Sequence, residues 1–492
     1  MVSPYTITVV DLSINAGYIV RCIDSYIIRC LLSMRSIARF DTIRGVVLGI
    51  RALPITFSTV AGETAMMTKE ENDLLTQTDR GTPMGELMRR YWQPVALSEE
   101  LPQGGAPIPV KVMGEELVLF RDEKGKLGLL GIHCPHRGAD LSYGRVEDGG
   151  LRCIYHGWLY DARGKCLEQP WEPGGGEHRD QIKHTAYPCH EQAGGIFAYM
   201  GPGKPPLFPN YEFLMAPAER TYTDKLFHEA NYLQMNEGSF DIPHLSFLHY
   251  TYYNNGLANR KPTGAENPTE TLNSRGAAPG LETMDVELTE YGLRNFRIRR
   301  DYGPNEYHLQ VNEFVLPNFI AFPSPMGSYG INWHVPVDDR HHWKFTWVFD
   351  RHQPLDKEAT RRMRTEMTPG FRSTRNKANR YEQDRESMKK QWYCGIARNF
   401  GAQDLCVIEG AGYIQDRTLE HLVSSDMPIV VARKVRIKAI RDLQEGREPK
   451  NVVRDRKSNH FRIVSTSEVV PTEKDWKDYV KTEVEGRVTE TS

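Results

Sequence analysis

Two short segments of the chain each combine one cysteine with one histidine. One residue separates Cys134 from His136, two residues separate Cys153 from His156, and sixteen residues lie between the pairs. Two loops that each offer one thiolate and one imidazole suit a 2Fe-2S cluster in which cysteines hold one iron and histidines hold the other. Such a cluster carries electrons, so the spacing predicts an electron-transfer site with these four ligands.

A structural zinc site is the alternative use of the same four side chains. Zinc binds cysteine and histidine in a closed tetrahedron. Zinc ribbons and fingers, however, favour pairs of cysteines about two to four residues apart over mixed Cys-x-His and Cys-x-x-His loops. The pattern therefore favours the 2Fe-2S cluster and leaves zinc as the second interpretation.

Asp241, His244 and His249 form a second group of possible ligands. A spacing of three residues places Asp241 and His244 on one face of a helix. A spacing of five residues turns by about 140 degrees relative to the helical register, so His244 and His249 can share a metal only where the helix is interrupted. Pro243 and the pair Gly238–Ser239 supply that interruption.

Isolated histidines beside a helix end are more often packing or surface residues than ligands. A predicted electron-transfer cluster in the same chain alters this interpretation, because its electrons need an acceptor. Two histidines and one carboxylate leave positions open on Fe(II), where dioxygen can bind beside a substrate. We therefore predict a mononuclear iron site at His244 and His249, with an acidic third ligand from a distant element.

The run from about Lys69 to Arg433, with both motifs, resembles the phthalate 4,5-dioxygenase-like branch of the Rieske non-heme iron oxygenases. The segments TPMGELMRRYWQPVALSEELP and DRTLEHLVSSD share in this resemblance. It implies an α+β chain in which an N-terminal all-β Rieske domain precedes a helix-grip catalytic domain. It also implies one 2Fe-2S cluster and one mononuclear Fe(II) in each subunit.

The resemblance also implies the third iron ligand. The pattern of Gln403, Asp404 and Glu409 resembles the C-terminal ligand motif of the family, which makes Asp404 the ligand and Asp416 the alternative. Without the family pattern, such an aspartate is better interpreted as a charge at a helix N-terminus or as a partner in an ion pair.

Family members assemble as trimers or stacked trimers, and the resemblance implies a homotrimer or hexamer here. It also implies that electrons pass from His156 of one subunit to Asp241 of the next, and then to the ligand His244. Glu237 precedes Asp241 by four residues on the same helical face. It can be interpreted equally well as a partner of Asp241 and His244 or as a solvated acid on the helix surface.

The electrons must come from another protein, because the chain has no GxGxxG motif after a strand and no P-loop. The expected partner is a separate NAD(P)H-dependent reductase with flavin and an iron-sulfur centre, acting directly or through a ferredoxin. Between residues 351 and 390, 12 basic residues stand against 6 acidic ones. This segment is either a docking surface for an acidic partner or a solvated helical face.

The predicted elements around these sites change character along the chain. Two short helical segments precede β-rich runs and glycine-rich turns as far as about residue 205, and long strands then alternate with helical segments near Asn231 and from 379 to 411. This pattern is typical of an antiparallel α+β domain. The predicted divisions are an extension without functional residues (1–66), the helices and Rieske domain (67–205), the catalytic domain (206–438) and a peripheral tail (439–492).

The first 65 residues contain six arginines, no lysine and four acidic residues. A transit peptide would have fewer acids, and a signal peptide would have a compact apolar centre. We favour a third interpretation, an upstream translated stretch that precedes a start at Met66 or Met67.

Charge and composition exclude several classes of partner. A net charge of -2 and a pI near 6.8 provide no general attraction to nucleic acid or to anionic membranes. No long apolar run is free of charges, so we expect no membrane span. Eight thinly spread cysteines suit a reducing compartment, and we expect the protein to be cytoplasmic.

The expected reaction is hydroxylation, dihydroxylation or oxidative demethylation or cleavage of a benzoate, phthalate or aryl ether. A carboxylate substrate needs a cationic side chain, for which Arg275 and Arg294 are candidates. The predicted strand HLQVNEFVLPNFIAF has no arginine and looks apolar, which argues against phthalate itself. The rival hypotheses are a non-catalytic Rieske electron carrier and a zinc-stabilised binding protein.

Overall fold

The computed structural model describes residues 67–249, 282–324, 328–363, 366–397 and 399–489 of the 492-residue chain. The extension 1–66 and the candidate Arg275 lie outside these residues. No helix in the described part of the chain is long and apolar enough to cross a membrane.

Two short helices open the described chain, as predicted. Helix α1 (Lys69–Thr76) begins with a capping box formed by Thr68 and Glu71. Helix α2 (Pro83–Met88) follows the N-cap residue Thr82, and proline suits its first position because no helical N–H bond is needed there. Both helices bury apolar side chains in the main core.

Three small antiparallel sheets follow. The first has the strand order β1-β11-β10, the second β2-β3-β4-β9 and the third β5-β6-β7-β8. Their strands are β1 (Trp92–Leu97), β2 (Ile108–Val112), β3 (Glu115–Arg121), β4 (Leu127–Gly131), β5 (Arg145–Glu147), β6 (Gly150–Arg152), β7 (Leu159–Tyr160), β8 (Cys166–Glu168), β9 (Ala186–Tyr187), β10 (Cys189–Gln192) and β11 (Gly195–Tyr199).

A large antiparallel sheet contains the remaining strands. Its order is β12-β18-β17-β16-β15-β14-β13, and β19 pairs with β15. The strands are β12 (Thr221–His228), β13 (Glu282–Leu288), β14 (Gly292–Gly303), β15 (Glu306–Val315), β16 (Phe319–Phe322), β17 (Tyr329–Asp338), β18 (His341–Phe349) and β19 (Thr466–Pro471). An all-β N-terminal part followed by a large sheet with helices confirms the predicted fold class.

Helices complete this second part of the chain. They are α3 (Glu212–Met215), α4 (Tyr232–Phe240), α5 (Lys357–Met363), α6 (Ser387–Lys390), α7 (Phe400–Gly410), α8 (Met427–Gln444), α9 (Trp476–Tyr479) and α10 (Glu485–Thr489). The helical region predicted from 379 to 411 is broken into short pieces, because Arg380, Tyr381 and Glu382 all have positive φ angles that a right-handed helix excludes.

The prediction of a peripheral tail from residue 439 is wrong. Helix α8 runs across that boundary, and β19 adds a strand beside β15. Val470, Val480 and Val484 are buried in one apolar cluster with residues of the large sheet. Near residue 480 the π-helical turn Val480–Val484 interrupts the regular helical spacing.

The two faces of the large sheet differ in chemistry. On β17 and β18, Ile331, Trp333, Phe345 and Trp347 belong to the apolar core shared with the N-terminal sheets. The Trp347 Nε1 atom donates to the carbonyl of Ala193 at 3.0 Å. Because strand side chains alternate, the intervening residues form a second, polar face on the other side of the sheet.

That polar face lies under α4. Its buried or half-buried members on β14, β15, β17 and β18 include Asn295, Arg297, Arg299, His308, Gln310, Asn312, Asn332, His334, His342, Lys344 and Thr346. Asn295 donates to the carbonyl of Phe240 at the end of α4, and Ser239 contacts both Asn332 and His334. The helix that precedes Asp241 is thus fixed to polar groups of the sheet.

Candidate metal centres

The two cysteine-histidine loops have the same backbone closure. The N–H of Gly138 donates to the carbonyl of Cys134 at 2.8 Å, and the N–H of Gly157 donates to that of Cys153 at 3.0 Å. Both glycines have φ near +75° (75° and 76°), a conformation that side chains disfavour. The local sequence therefore builds two matching turns, each with its cysteine at the start.

Within these turns the thiols lie deep and the imidazoles lie nearer the surface. Cys134 and Cys153 are each 3% exposed, whereas the rings of His136 and His156 are half-buried with their centroids 4.5 Å apart. The indole of Trp158 stacks on His136 at a centroid distance of 4.5 Å. Trp158 thus shields one imidazole, as a residue beside a metal cluster should.

The surroundings of the Cys134 thiol favour its protonated form. Burial raises the pKa of the Cys134 thiol, and the neighbouring Cys153 thiol adds to this effect, while a contact of 3.2 Å with the Tyr160 hydroxyl opposes it. Iron binding would supply the positive charge that stabilises the thiolates. Partial burial, followed by the nearby His136 and Arg137, lowers the pKa of His156, which favours the neutral imidazole that binds metals.

The second site forms where helix α4 ends. Asp241 is the C-cap of α4, and a 3-10 turn over Pro243–Ser246 redirects the chain, so the predicted interruption is present. The rings of His244 and His249 are 5.1 Å apart between centroids. Nε2 of His249 lies 3.0 Å from Oδ1 of Asp404, and Nε2 of His244 lies 3.8 Å from the same oxygen.

His244, His249 and Asp404 are the only group of three or more possible metal ligands, among residues whose positions are described, with donor atoms all within 4.8 Å of one another. The donors of Cys134, His136, Cys153 and His156 do not meet this criterion. A tetrahedral zinc ion would draw its four ligand atoms together at bond lengths of about 2.0 to 2.3 Å. These four donors are thus not arranged as closely as a closed zinc tetrahedron would require.

Hydrogen bonds behind the histidines leave both Nε2 atoms facing Asp404. Nδ1 of His244 donates to the Asp241 carbonyl at 2.6 Å and lies 3.3 Å from its carboxylate. Nδ1 of His249 donates to Oε1 of Gln403 at 2.6 Å. Burial alone would raise the pKa of Asp404, but His249 and then His244 hold that pKa below its usual value. Two imidazoles and an ionised carboxylate suit Fe(II).

Comparisons with known proteins agree with these two sites. A Rieske [2Fe-2S] domain model matches residues 91–182, and a model described as LigXa C-terminal domain like matches residues 198–492. The chain is 34% identical over 432 residues to the phthalate 4,5-dioxygenase oxygenase subunit of Pseudomonas putida, which covers 84% of this chain and 95% of that protein. The chain is a Rieske oxygenase, and specifically an oxygenase (alpha) subunit.

Other relatives of this Rieske oxygenase are named for different activities. The 5,5'-dehydrodivanillate O-demethylase oxygenase subunit of a Sphingobium strain is 33% identical, over 79% of this chain and 84% of that protein. The 3-chlorobenzoate-3,4-dioxygenase oxygenase subunit of Comamonas testosteroni is 31% identical, over 86% of this chain and 99% of that protein. The chain is thus an aromatic-ring oxygenase component of a multicomponent system.

A solved structure supports the fold. The terminal oxygenase of carbazole 1,9a-dioxygenase from a Novosphingobium species superposes with a TM-score of 0.50 at 20% sequence identity, over 79% of this chain and 97% of that chain. At this identity the likeness concerns only the fold.

Two residues considered from sequence have other roles in this Rieske oxygenase. Asp416 is exposed and caps a short turn, with its carboxylate accepting from the N–H and the hydroxyl of Thr418. Glu237 is neither a partner of Asp241 nor a solvated acid, because it is buried against Arg417 and Arg433. Burial would raise the pKa of Glu237, but the two arginines lower it to about 2.

Arg294 is not a substrate ligand. Its Nε atom donates to the buried Glu313 at 2.7 Å, and its Nη1 atom donates to Glu485 at 3.0 Å. Both residues neighbour it on the side of the sheet away from α4, so its charge is already paired. The polar face carries other cations, among them Lys344, Arg297 and Arg299.

The strand that is predicted to be apolar, β15, differs from this expectation. Gln310 and Asn312 alternate with Leu309 and Val311 along β15, and Gln310 donates to Asn312 on the polar face. The alternation of polar and apolar residues along β15 is visible in the sequence. No nearby residue, however, indicates that helices cover the polar side of this strand. Lys344 was missed for the same reason, although its charge contributes to lowering the pKa of Asp404.

Many basic side chains between residues 351 and 390 already have partners. Arg351 pairs with Glu212, and Lys389 pairs with Glu386. The guanidinium of Arg372 lies 3.8 Å from the ring centroid of Phe227. Docking of an acidic partner on this segment stays a prediction from sequence.

Proposed function

We propose that this oxygenase subunit uses O2 and electrons from an NAD(P)H-dependent reductase, directly or through a ferredoxin, to hydroxylate, dihydroxylate or oxidatively demethylate an aromatic compound. The observation that carries this proposal is the convergence of His244, His249 and Asp404 within 4.8 Å. A pure electron carrier has no use for a second metal site. Relatives include dioxygenases and an O-demethylase, so the proposal covers both types of reaction.

His244, His249 and Asp404 would hold the mononuclear iron, and Cys134, His136, Cys153 and His156 would hold the cluster. Bound Fe(II) with three protein ligands supplies open positions at which dioxygen is activated beside the substrate. The protein keeps both Nε2 atoms available for the metal through the Nδ1 hydrogen bonds of the two histidines. The single negative charge of Asp404 offsets part of the charge on the metal.

The proposed electron path crosses between subunits of a homotrimer, or of a hexamer of stacked trimers. Tyr143, Ile154, Tyr155 and Trp171 lie on or close to the loops of the cluster, and each is more than half exposed (55 to 86%). Large exposed apolar groups around a cluster suit burial against a second copy of the chain. On that copy, Asp241 would receive the electron and lead it to His244.

The substrate would lie over the polar face of the large sheet, beside Asp404. Lys344 is buried in that face, and Asn332 and Thr346 are joined by a hydrogen bond of 3.0 Å. Arg297 is also on this face and pairs with Glu282. The ammonium group of Lys344, whose charge also acts on Asp404, suits a substrate with a carboxylate, because a charged hydrogen bond between the two groups is strong. We therefore favour benzoate-type or phthalate-type acids over uncharged hydrocarbons.

Metal analysis and one turnover test this function. Protein purified without oxygen should contain three irons and acid-labile sulfide per chain, and should oxidise an aromatic acid once after reduction. Cys153→Ser should lose the visible spectrum of the cluster, whereas Asp404→Ala should keep that spectrum and lose one iron. Two irons per chain without turnover would support an electron carrier, and zinc without sulfide would exclude both redox functions.

A further inference from the structure

The residue before Asp404 contacts the other side of the metal site. Gln403 is 1% exposed, and its Oε1 atom accepts a hydrogen bond from Nδ1 of His249 at 2.6 Å. Its Nε2 atom donates to the carbonyl of Ile396 at 2.6 Å. Each polar atom of the amide therefore has a buried partner.

The Ile396 carbonyl determines which way this amide faces. A carbonyl can only accept, so the Gln403 NH2 group must face Ile396 and the Gln403 oxygen must face His249. An amide oxygen in turn accepts only, so His249 must carry its hydrogen on Nδ1. The lone pair of His249 is then on Nε2, the atom that lies 3.0 Å from Asp404.

We propose that Gln403 is a positioning residue of the mononuclear iron site, and that it holds His249 in the Nδ1–H tautomer with Nε2 directed at the metal. This inference rests on the proposed iron site. Helix α7 thereby supplies both a ligand, Asp404, and the group that orients another ligand, on consecutive residues. The two histidines are oriented by different means, His244 by Asp241 of its own segment and His249 by a distant helix.

The chain offers a matched control for the loss of a buried glutamine. Gln234 on α4 is 2% exposed, and its amide donates to the carbonyls of Ile408 and Gly412, near the end of α7, at 3.0 and 2.9 Å. It also accepts from the N–H of Gln415 at 2.9 Å. Gln234→Leu therefore removes hydrogen bonds to the same helical region but none to a metal ligand.

The test measures the Kd for Fe(II) by anaerobic equilibrium dialysis, on protein that keeps its cluster and has lost its mononuclear iron to a chelator. Gln403→Leu should weaken Fe(II) binding by about 10-fold to 100-fold, because loss of an orienting hydrogen bond has effects of this size. Gln234→Leu should leave the Kd within about threefold of wild type, even if both variants unfold at lower temperature.

Gln403→Glu supplies the rescue variant, because a protonated carboxyl group can donate to the Ile396 carbonyl and accept from Nδ1 of His249, so this variant should bind Fe(II) more tightly than Gln403→Leu. Co(II) absorption spectra should show altered ligand geometry in Gln403→Leu alone. The inference is overturned if Gln403→Leu binds Fe(II) like wild type, if Gln234→Leu loses as much affinity, or if Gln403→Glu is as weak as Gln403→Leu. Unchanged Fe(II) binding in His249→Ala would instead overturn the iron site itself.

Discussion

Each histidine beside Asp404 directs its Nδ1 hydrogen away from that carboxylate. For His244 two oxygens of one residue are near Nδ1, the backbone carbonyl oxygen and one carboxylate oxygen of Asp241. The carbonyl holds the ring, and the carboxylate adds a negative charge next to it. These two contributions can be separated by substitution, because only the carboxylate changes with the side chain.

Asp241→Asn should keep both metal centres and a reducible cluster, because the backbone carbonyl of residue 241 still orients His244. Electron transfer from cluster to mononuclear iron should slow by orders of magnitude, since the amide lacks the charge and the acceptor-only character of the carboxylate. Stopped-flow reoxidation of the reduced cluster by O2, with substrate bound, measures this step. A wild-type rate would remove Asp241 from the path.

Lys344→Met should raise the KM for an aromatic carboxylate substrate by about tenfold or more, because a buried charged hydrogen bond contributes at least about 1.5 kcal/mol. Iron content should stay at the wild-type level. The matched measurement uses the corresponding neutral amide of the same substrate. Equal effects on acid and amide would show that Lys344 does not recognise the carboxylate.

At the scale of the elements, Glu237 joins α4 to two later parts of the chain. Its carboxylate accepts from Arg417 in the turn after α7 and from Arg433 on α8, which also pairs with Glu420. The DRTLEH segment that resembles the family thus supplies two members of a buried ion network, Arg417 and Glu420. This network fixes the helix that ends at Asp241.

Glu237→Gln should lower the free energy of unfolding by about 3 to 5 kcal/mol, because two buried arginines lose the charge that compensates them. In the wild type the folded pKa of Glu237 is about 2, below its ordinary value of 4.5. Its stabilising effect is therefore complete above pH 4.5 and is lost as the pH falls toward 2. Urea unfolding across this range should show a weaker pH dependence in the variant; an unchanged dependence would contradict this assignment.

The sequence predicted contacts between residues that are close along the chain, but not contacts between residues that are far apart along it. The cysteine-histidine turns and the break after α4 each depend on residues within a few positions of one another. Glu237, in contrast, meets Arg417 and Arg433 from 180 and 196 positions away, and no spacing rule connects them. Asp404 was assigned only through the family motif, because its helix is also far from His249 in sequence.

At the scale of the whole molecule, we propose that electrons pass from the cluster of one subunit to the mononuclear iron of its neighbour. A path of this kind uses the cluster of one chain and the iron of the next. It repeats around a closed ring, so every subunit is both donor and acceptor. Mixed assemblies of two defective chains distinguish this arrangement from transfer within one chain.

Cys153→Ser, which lacks the cluster, and Asp404→Ala, which lacks the mononuclear iron, should each be inactive alone. Co-expressed in equal amounts, they should recover about a quarter of wild-type activity, because random mixing joins an intact cluster to an intact iron at about one interface in four. Size-exclusion chromatography must first show that the tagged chains co-assemble. Co-assembled but inactive protein would contradict transfer between subunits.

The alternation along β17 and β18 has a consequence for how substrate preference can diverge. Lys344 and Thr346 lie on the polar face that borders the proposed substrate space, whereas Asn332 and His334 contact Ser239 of α4, and Phe345 and Trp347 pack against the N-terminal sheets. Replacements at Lys344 and Thr346 can change which substrate is recognised. They should not disturb the packing of the large sheet against the N-terminal sheets. Saturation libraries confined to those positions should therefore yield many folded, cluster-containing variants with new preferences, and libraries at the intervening positions should yield few.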